Sequence, residues 1–250
     1  NFEFSDIEIR YMENMPVVKN LYGKAEFFSS NIIFNISSGD SENLDLIKGT
    51  VDLFDLDTDL EKANISLKIK GKNSEVIDYL DKSIIDKNTY SELRDVSGNN
   101  IVNLDLSFPL LVNLKTEQIM YESDINIDQA VYNDFFSDAD IKDFNLDILV
   151  NNSKTEFKGG GKLLGSNFTF NGNQINKNNN LVNSISGNYI IRAESLPKSL
   201  FNIEVEDAGL IPINFKIELM TNNIFKFEGI GNLDKYGISS KFLGENIITK

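Results

Sequence analysis

The chain has 250 residues, with 38 Asp and Glu against 24 Lys and Arg and a formal charge of -14. That balance argues against a nucleic-acid partner, which needs clustered cations to displace counterions, and against docking on anionic headgroups through a basic patch. Cys and His are both absent, which removes thiol nucleophiles, disulfides, the imidazole proton shuttle and the usual zinc and copper ligands. No apolar run in these residues is long enough to span a bilayer, and none reads as a signal peptide, so any targeting segments are expected to lie outside them. The chain begins at Asn1, without Met, directly in a strand-like "NFEF", and is expected to be a piece of a longer protein.

In chain order, "FEFSDIEIRY", "GKAEFF", "NIIFNIS" and "TVDLFDLD" alternate apolar and polar residues over short lengths. This is the pattern of a half-buried strand, whose successive side chains point to opposite faces. "ANISLKIK" is cleaner, with Ala63, Ile65, Leu67 and Ile69 against Asn64, Ser66, Lys68 and Lys70. "NSEVIDYLDKSI" predicts a short helix: Asn73 or Ser74 caps it, Glu75 lies in its first turn, and Val76, Ile77 and Leu80 form a narrow apolar face. The stretch from Lys82 to Asn100 is mixed and polar and reads as a loop crossing the sheet.

"IVNLDLSFPL" then sets Val102, Leu104, Leu106 and Phe108 against Asn103, Asp105 and Ser107. Burying one such side chain is worth roughly 1.5–3 kcal/mol, so the four represent about 6–12 kcal/mol, comparable to the net stability of a domain. The stripe must be covered, by protein or by a ligand. "DFNLDILV" gives Phe144, Leu146, Ile148 and Val150 against Asp143, Asn145 and Asp147. "DINID", "KTEFKG", "NFTFNG", "GNYIIRA", "FNIEVE", "IFKFEGIG" and "YGISSKF" are shorter, and "IPINFKIEL" brings Ile211, Ile213, Phe215, Ile217 and Leu219 to one side. "ESLPKSLF" holds at most another helical turn, with Pro197 near its start.

The clusters "SSGDSEN", "SGNN", "NNSK", "NGNQINKNNN" and "GNLDKYG" read as turns, and "NQINKNNN" as a solvated loop. No strict short-period repeat is visible. The expected class is therefore all-β and antiparallel, with one or two short helices. With few helices to cover it, the apolar face must pack on a second sheet, close on itself or hold something apolar, because a sandwich, a barrel and an open trough all read apolar-in and polar-out. Pro109 and Pro212 restrict their strands to an edge, a bulge or a strand end.

Candidate chemistry is thin. "DLDTDLE" fails as a calcium loop, since Leu60 and Ser66 stand where Gly and a bidentate Glu are required, and its acids are expected to share the solvent face of a strand. "KGGGKLLG" lacks the Ser or Thr and the first Gly of a phosphate loop, and its glycines are expected to mark a strand bend or close backbone approach. No paired carboxylates for glycoside hydrolysis stand out, and Trp is absent. Asn64-Ile65-Ser66 and Asn167-Phe168-Thr169 lie inside expected strands. No catalytic residue, metal or cofactor is expected, and the chain reads as a non-enzyme.

Several stretches, in order, resemble the conserved domain of AsmA-like bacterial envelope proteins of the YhdP type. Tyr11 and Pro16 precede a Gly-led strand, a strand ends in Ser38-Gly39, and another closes on Asp55-Leu56. "LKIKGKNSEVIDYLDK" is similar to the family's strand, Gly and short helix, "GNNIVNLDLSFPL" to its next strand ending at Pro109-Leu110, and "FKGGGKLLGSNFTF" to its later Gly-rich strand pair. The resemblance covers roughly residues 7–172, with 173–250 as a continuation of the same sheet and 1–250 as one continuous segment. It implies a curled antiparallel sheet forming a groove or taco-like half-barrel with an apolar interior. Such a bridge-like lipid transfer protein holds phospholipid acyl chains in the periplasm, anchored to the inner membrane by a segment not present here, and serves outer-membrane biogenesis with other envelope proteins. The groove floor would then include Ile65, Leu67, Ile69, Val102, Leu104, Leu106, Phe108, Phe144, Leu146, Ile148, Val150, Phe215 and Ile217. The competing readings are a ligand-free structural or adhesive β-sandwich or solenoid, and an envelope carbohydrate-active enzyme.

Overall fold

The structure, a computed structural model, describes residues 1–10, 15–82, 93–136, 139–177, 180–192, 203–205, 209–220, 225–231 and 238–240. The chain is nearly all antiparallel strand. Thirteen strands form one open series, which condenses into two compact units: residues 1–131 with 145–155, and residues 132–144 with 156–250.

Unit 1 is built from β1 (Phe2–Ile9), β2 (Val18–Phe27), β3 (Ile32–Ser41), β4 (Leu44–Phe54), β5 (Lys62–Lys72), α1 (Asn73–Leu80), β6 (Asn99–Pro109) and the inner parts of β7 (Met120–Phe136) and β8 (Ala139–Asn151). Strands adjacent in sequence are adjacent in the sheet. Consecutive hairpins therefore place all β2–β3, β4–β5 and β6–β7 connections at one end and α1 at the other.

Two β-bulges bend β1 and β2. Asp6 and Asn20 adopt left-handed backbone, with φ 54° and 49°, where the register slips. A bulge adds one residue to one strand, bends it and increases twist. The Asn20 side chain donates to the Asp40 carboxylate at 2.5 Å and fixes this bend to β3.

α1 starts one residue earlier than a cap at Asn73 or Ser74 requires: Lys72 is the N-cap, and its N–H donates to the Glu75 carboxylate at 2.7 Å. Asn73 instead has a buried role. Its amide donates to the carbonyls of Leu93 and Val96, both at 2.7 Å, and accepts from Asn100 Nδ2 at 2.9 Å. Asn73 and Asn100 are each 1% exposed, and Asn100 Oδ1 has no partner among the described residues. This polar joint ties α1 and the segment before β6 to the sheet. Asn73→Ala removes both carbonyl bonds and strands the Asn100 amide, so it is expected to destabilise unit 1 by about 2–4 kcal/mol in urea denaturation, from several buried polar groups left unsatisfied.

Unit 2 contains the outer parts of β7 and β8, then β9 (Thr155–Leu163), β10 (Ser166–Lys177), β11 (Asn180–Arg192), β13 (Leu210–Met220) and β14 (Phe225–Gly231), with a separate pair of β12 (Ile203–Val205) and β15 (Ile238–Ser240). It follows the plan of unit 1. The match is of strands from β7 onward with β1–β6: left-handed residues stand fourteen positions apart at Asp6 and Asn20, and again at Gln129, still in unit 1, and Asp143 in unit 2; the β3–β4 turn at Glu42 is answered by the β9–β10 turn at Leu164. "GNNIVNLDL" entering β6 is matched by "GLIPINFKI" entering β13, and Asn100 and Ile211, both 1% exposed, occupy the same place in the two.

Several sequence expectations are corrected. "NQINKNNN" is not a solvated loop: β10 and β11 pair through it up to Lys177 opposite Asn180. "SSGD" belongs to β3, which turns only at Glu42-Asn43. "DLDTDLE" is not a strand face but largely the β4–β5 loop, entered through left-handed Asp55 and held by the Thr58 hydroxyl on the Asp55 carbonyl at 2.9 Å. Pro109 is the last residue of β6, and Pro212 lies one position beyond the point where β14 begins to pair with β13. The middle of the Lys82–Asn100 loop and the second helical turn at "ESLPKSLF" fall outside the described residues.

Candidate functional site

The register of unit 1 aligns the apolar side chains into rows that cross the strands. One row runs Phe4, Gly23, Ile36, Gly49, Leu67, Leu104 and Ser123; the next runs Phe2, Ala25, Phe34, Val51, Ile65, Leu106 and Tyr121. Ile69 and Val102 pair opposite Leu46 and Ile125, and Ala63 pairs with Phe108. These residues share one face: alternation has period two between register slips, and the slip between Leu46 and Lys48 on β4 keeps Leu46 on the side of Gly49. The other face carries Lys24, Asn35, Thr50, Ser66, Asp105 and Glu122, with Ser66 hydrogen-bonded to Asp105 and Lys24 paired with Glu3 at 3.1 Å.

Cover on the apolar face is uneven. At the α1 end Leu21, Leu44, Leu46, Ile77, Val96, Ile127 and Ala130 are buried, as are the small Ala25 and Ala63 farther away. Away from it, Ile36, Val51, Ile65, Leu67, Leu104, Leu106 and Phe108 are only half-buried. Among the described residues of unit 1, no second sheet lies over these rows.

Glycines shape this surface. A Cβ on Gly23 would overlap the Asn35 carbonyl oxygen and stand 2.5 Å from the Phe4 ring. The β3 backbone is thus folded toward the apolar side of β2, and the Phe4 ring lies in the space that a side chain would take. Unit 2 repeats the device: a Cβ on Gly187 would overlap the Thr169 carbonyl oxygen and stand 2.6 Å from the Phe215 ring. In both units the sheet bends locally toward its apolar face, as strand glycines permit.

The sequence-expected floor residues divide accordingly. Ile65, Leu67 and Ile69 on β5 face Leu106, Leu104 and Val102 on β6, and with Phe108 they form one half-buried surface. On β8 the Asp147 carboxylate accepts from Asn126 on the polar side at 2.6 Å, which turns Leu146, Ile148 and Val150 to the apolar side. Ile148 and Val150 are half-buried, but Leu146 is 6% exposed and belongs to the core. In unit 2, Phe144 is equally buried, 6.1 Å from Phe170 in a parallel stack, while Phe215 and Ile217 are half-buried on β13 opposite Gly187 and Ile185. The contributions of β1–β4, Phe4, Phe34, Ile36, Val51 and Leu53, were missed. The alternation in "NIIFNIS" was their signal, weakened by Ile33 on the wrong face.

Titratable groups are few on this surface. In unit 2 the Tyr189 hydroxyl donates to the Leu163 carbonyl at 2.7 Å, and burial raises its pKa above the usual phenol value. On the exposed side, the hydrogen bond and charge of Lys162, 2.7 Å away, lower the Asp143 pKa. No group of acids that could hold a metal ion occurs among the described residues. What the arrangement offers is a broad apolar surface backed by a wet polar one. No family model, curated protein or solved structure matches the chain.

Proposed function

We propose that the chain is a β-groove segment that holds or conducts phospholipid acyl chains on its apolar face. One observation carries the reading: the strands of unit 1 align Phe34, Ile36, Val51, Ile65, Leu67, Leu104 and Leu106, interrupted by Gly49, on one face, and the described residues cover them only in part. Water is a poor cover for such a surface. Hydrocarbon gains about 0.8 kcal/mol per CH₂ buried, so an acyl chain binds there without any polar ligand set.

In this reading the headgroups stay at the wet margin and no catalytic group is needed, in keeping with a sequence without His or Cys. The resemblance to AsmA-like envelope proteins extends the proposal to the periplasm. Attachment to the inner membrane would come through segments outside these 250 residues, and lipid would be delivered toward the outer membrane. The test is organic extraction of the chain purified from bacteria, followed by mass spectrometry. Near-stoichiometric phospholipid is expected; a clean extract together with no uptake of a fluorescent phospholipid would refute the proposal.

A further inference from the structure

We infer that the loop end of unit 1, opposite α1, docks on a zwitterionic bilayer surface and that acyl chains pass between bilayer and floor there. The docking stands on its own observations; the passage of chains rests on the groove reading above.

Four connections gather at this end: residues 28–31, 55–61, 110–119 and 152–154. Three of them hold large apolar side chains out in water, with Phe28, Leu60, Leu111 and Val112 being 56%, 70%, 49% and 102% exposed. Short connections between strands are ordinarily made of Gly, Asn, Asp, Ser and Pro, so apolar tips on three separate loops are not explained by turn formation. Large apolar side chains exposed together at one end, unlike ones scattered singly, mark an interaction site.

The loops are laced into one rim. Leu56 N–H donates to the Ser30 carbonyl and Leu110 N–H to the Glu61 carbonyl, both at 2.9 Å. The Asn152 side chain accepts from Tyr121 N–H and donates to the Ile119 carbonyl, both at 2.8 Å. The connections are therefore tied to one another near their bases. The apolar face runs directly into this rim, because its last row, Ile32, Leu53, Ala63 and Phe108, ends at the same loops.

Charge selects the occupant. Exposed Asp57, Asp59, Glu61 and Glu117 stand in these connections against exposed Lys115 and Lys154, while Lys62 is engaged by Asp55 at 3.6 Å, so the rim is acidic on balance. Anionic headgroups would be repelled, whereas the outward ammonium groups of phosphatidylcholine or phosphatidylethanolamine complement the carboxylates. Two copies meeting rim to rim would bring the same acids together, which like-charge repulsion disfavours.

Flotation of the full chain with phosphatidylcholine–phosphatidylethanolamine vesicles tests this. The wild-type chain is expected to float, and replacing part of the lipid with phosphatidylglycerol is expected to weaken flotation. The double variant Leu60→Ser, Val112→Ser should lower the partition coefficient at least about tenfold, since two exposed side chains lose their transfer into hydrocarbon. It should still take up a short-chain fluorescent phospholipid supplied as dispersed monomer. Leu104→Asp should do the reverse, floating normally and taking up none. The docking inference is overturned if the wild-type chain fails to float, if the double variant floats as well, or if phosphatidylglycerol strengthens binding. A dimer that the double variant abolishes, without flotation, would assign the rim to a second copy and overturn it too. Flotation with no uptake of dispersed lipid would support the docking and refute the groove.

Discussion

Leu104→Asp is expected to abolish lipid uptake and leave the chain folded, whereas Leu146→Asp is expected to unfold unit 1. Both residues sit on the apolar side of a strand, and sequence periodicity treats them alike. Leu104 is half-buried on the open rows between Leu67 and Ser123, so an aspartate there keeps part of its hydration. The cost to stability should be about 1–2 kcal/mol, within the range of ordinary substitutions. Leu146 is 6% exposed, and a carboxylate placed there loses its water. That is the kind of change that exceeds about 4 kcal/mol, a large part of a domain's stability. Circular dichroism through a urea titration separates the two, and binding of a fluorescent phospholipid reports the function. If Leu104→Asp unfolds the chain as readily as Leu146→Asp, the rows are ordinary core and the floor does not exist as described.

Gly23→Ala is expected to destabilise unit 1 by about 2–4 kcal/mol, as substitutions that force the backbone to move do. On an ordinary strand the same change is favourable, because alanine has less unfolded-state freedom to lose. At Gly23 the new methyl would overlap a main-chain carbonyl, that of Asn35, which cannot rotate away as a side chain can. Gly49→Ala is the matched comparison. Its nearest obstacle is the Leu67 side-chain terminus at 2.7 Å, with the Ser66 carbonyl at 3.2 Å. A leucine end moves cheaply, so the loss should stay near or below about 1 kcal/mol. Equal losses at the two positions, read from urea midpoints, would mean that the bend of β3 toward the apolar face at Gly23 is not what the glycine is there for.

Period two is a property of the backbone, and so the apolar stripes of β5, β6, β8 and β13 were legible directly from residues such as Val102, Leu104, Leu106 and Phe108. The helix at 73–80 was legible for the same kind of reason, through Val76, Ile77 and Leu80. What was hidden depends on partners that local sequence does not name. Which strand lies beside Gly23 or Gly187, and which ring covers it, follows only from register. The asparagine tract misleads because ladder hydrogen bonds are made by the main chain and are indifferent to a polar side chain on either face. Asp55 misleads in the opposite sense, since its left-handed backbone ends the strand while the alternation in sequence runs on. The recurrence of the β1–β4 pattern from β7 onward also escapes residue matching: Asp6 answers to Gln129 and Glu42 to Leu164, positions alike in backbone conformation rather than in chemistry. The division of the floor into partly covered rows and closed core is set by tertiary packing, including that of α1 against β5 and β6, which alternation alone cannot supply.

Neighbouring residues on β6 permit the most direct test of what covers the open rows. A photoreactive amino acid placed at Leu104 faces the apolar side, and one at Asp105 faces water on the other. In cells, irradiation is expected to join phospholipid to the chain from position 104 and not from 105. Lipid adducts from neither position, or equally from both, would contradict a hydrocarbon-covered floor.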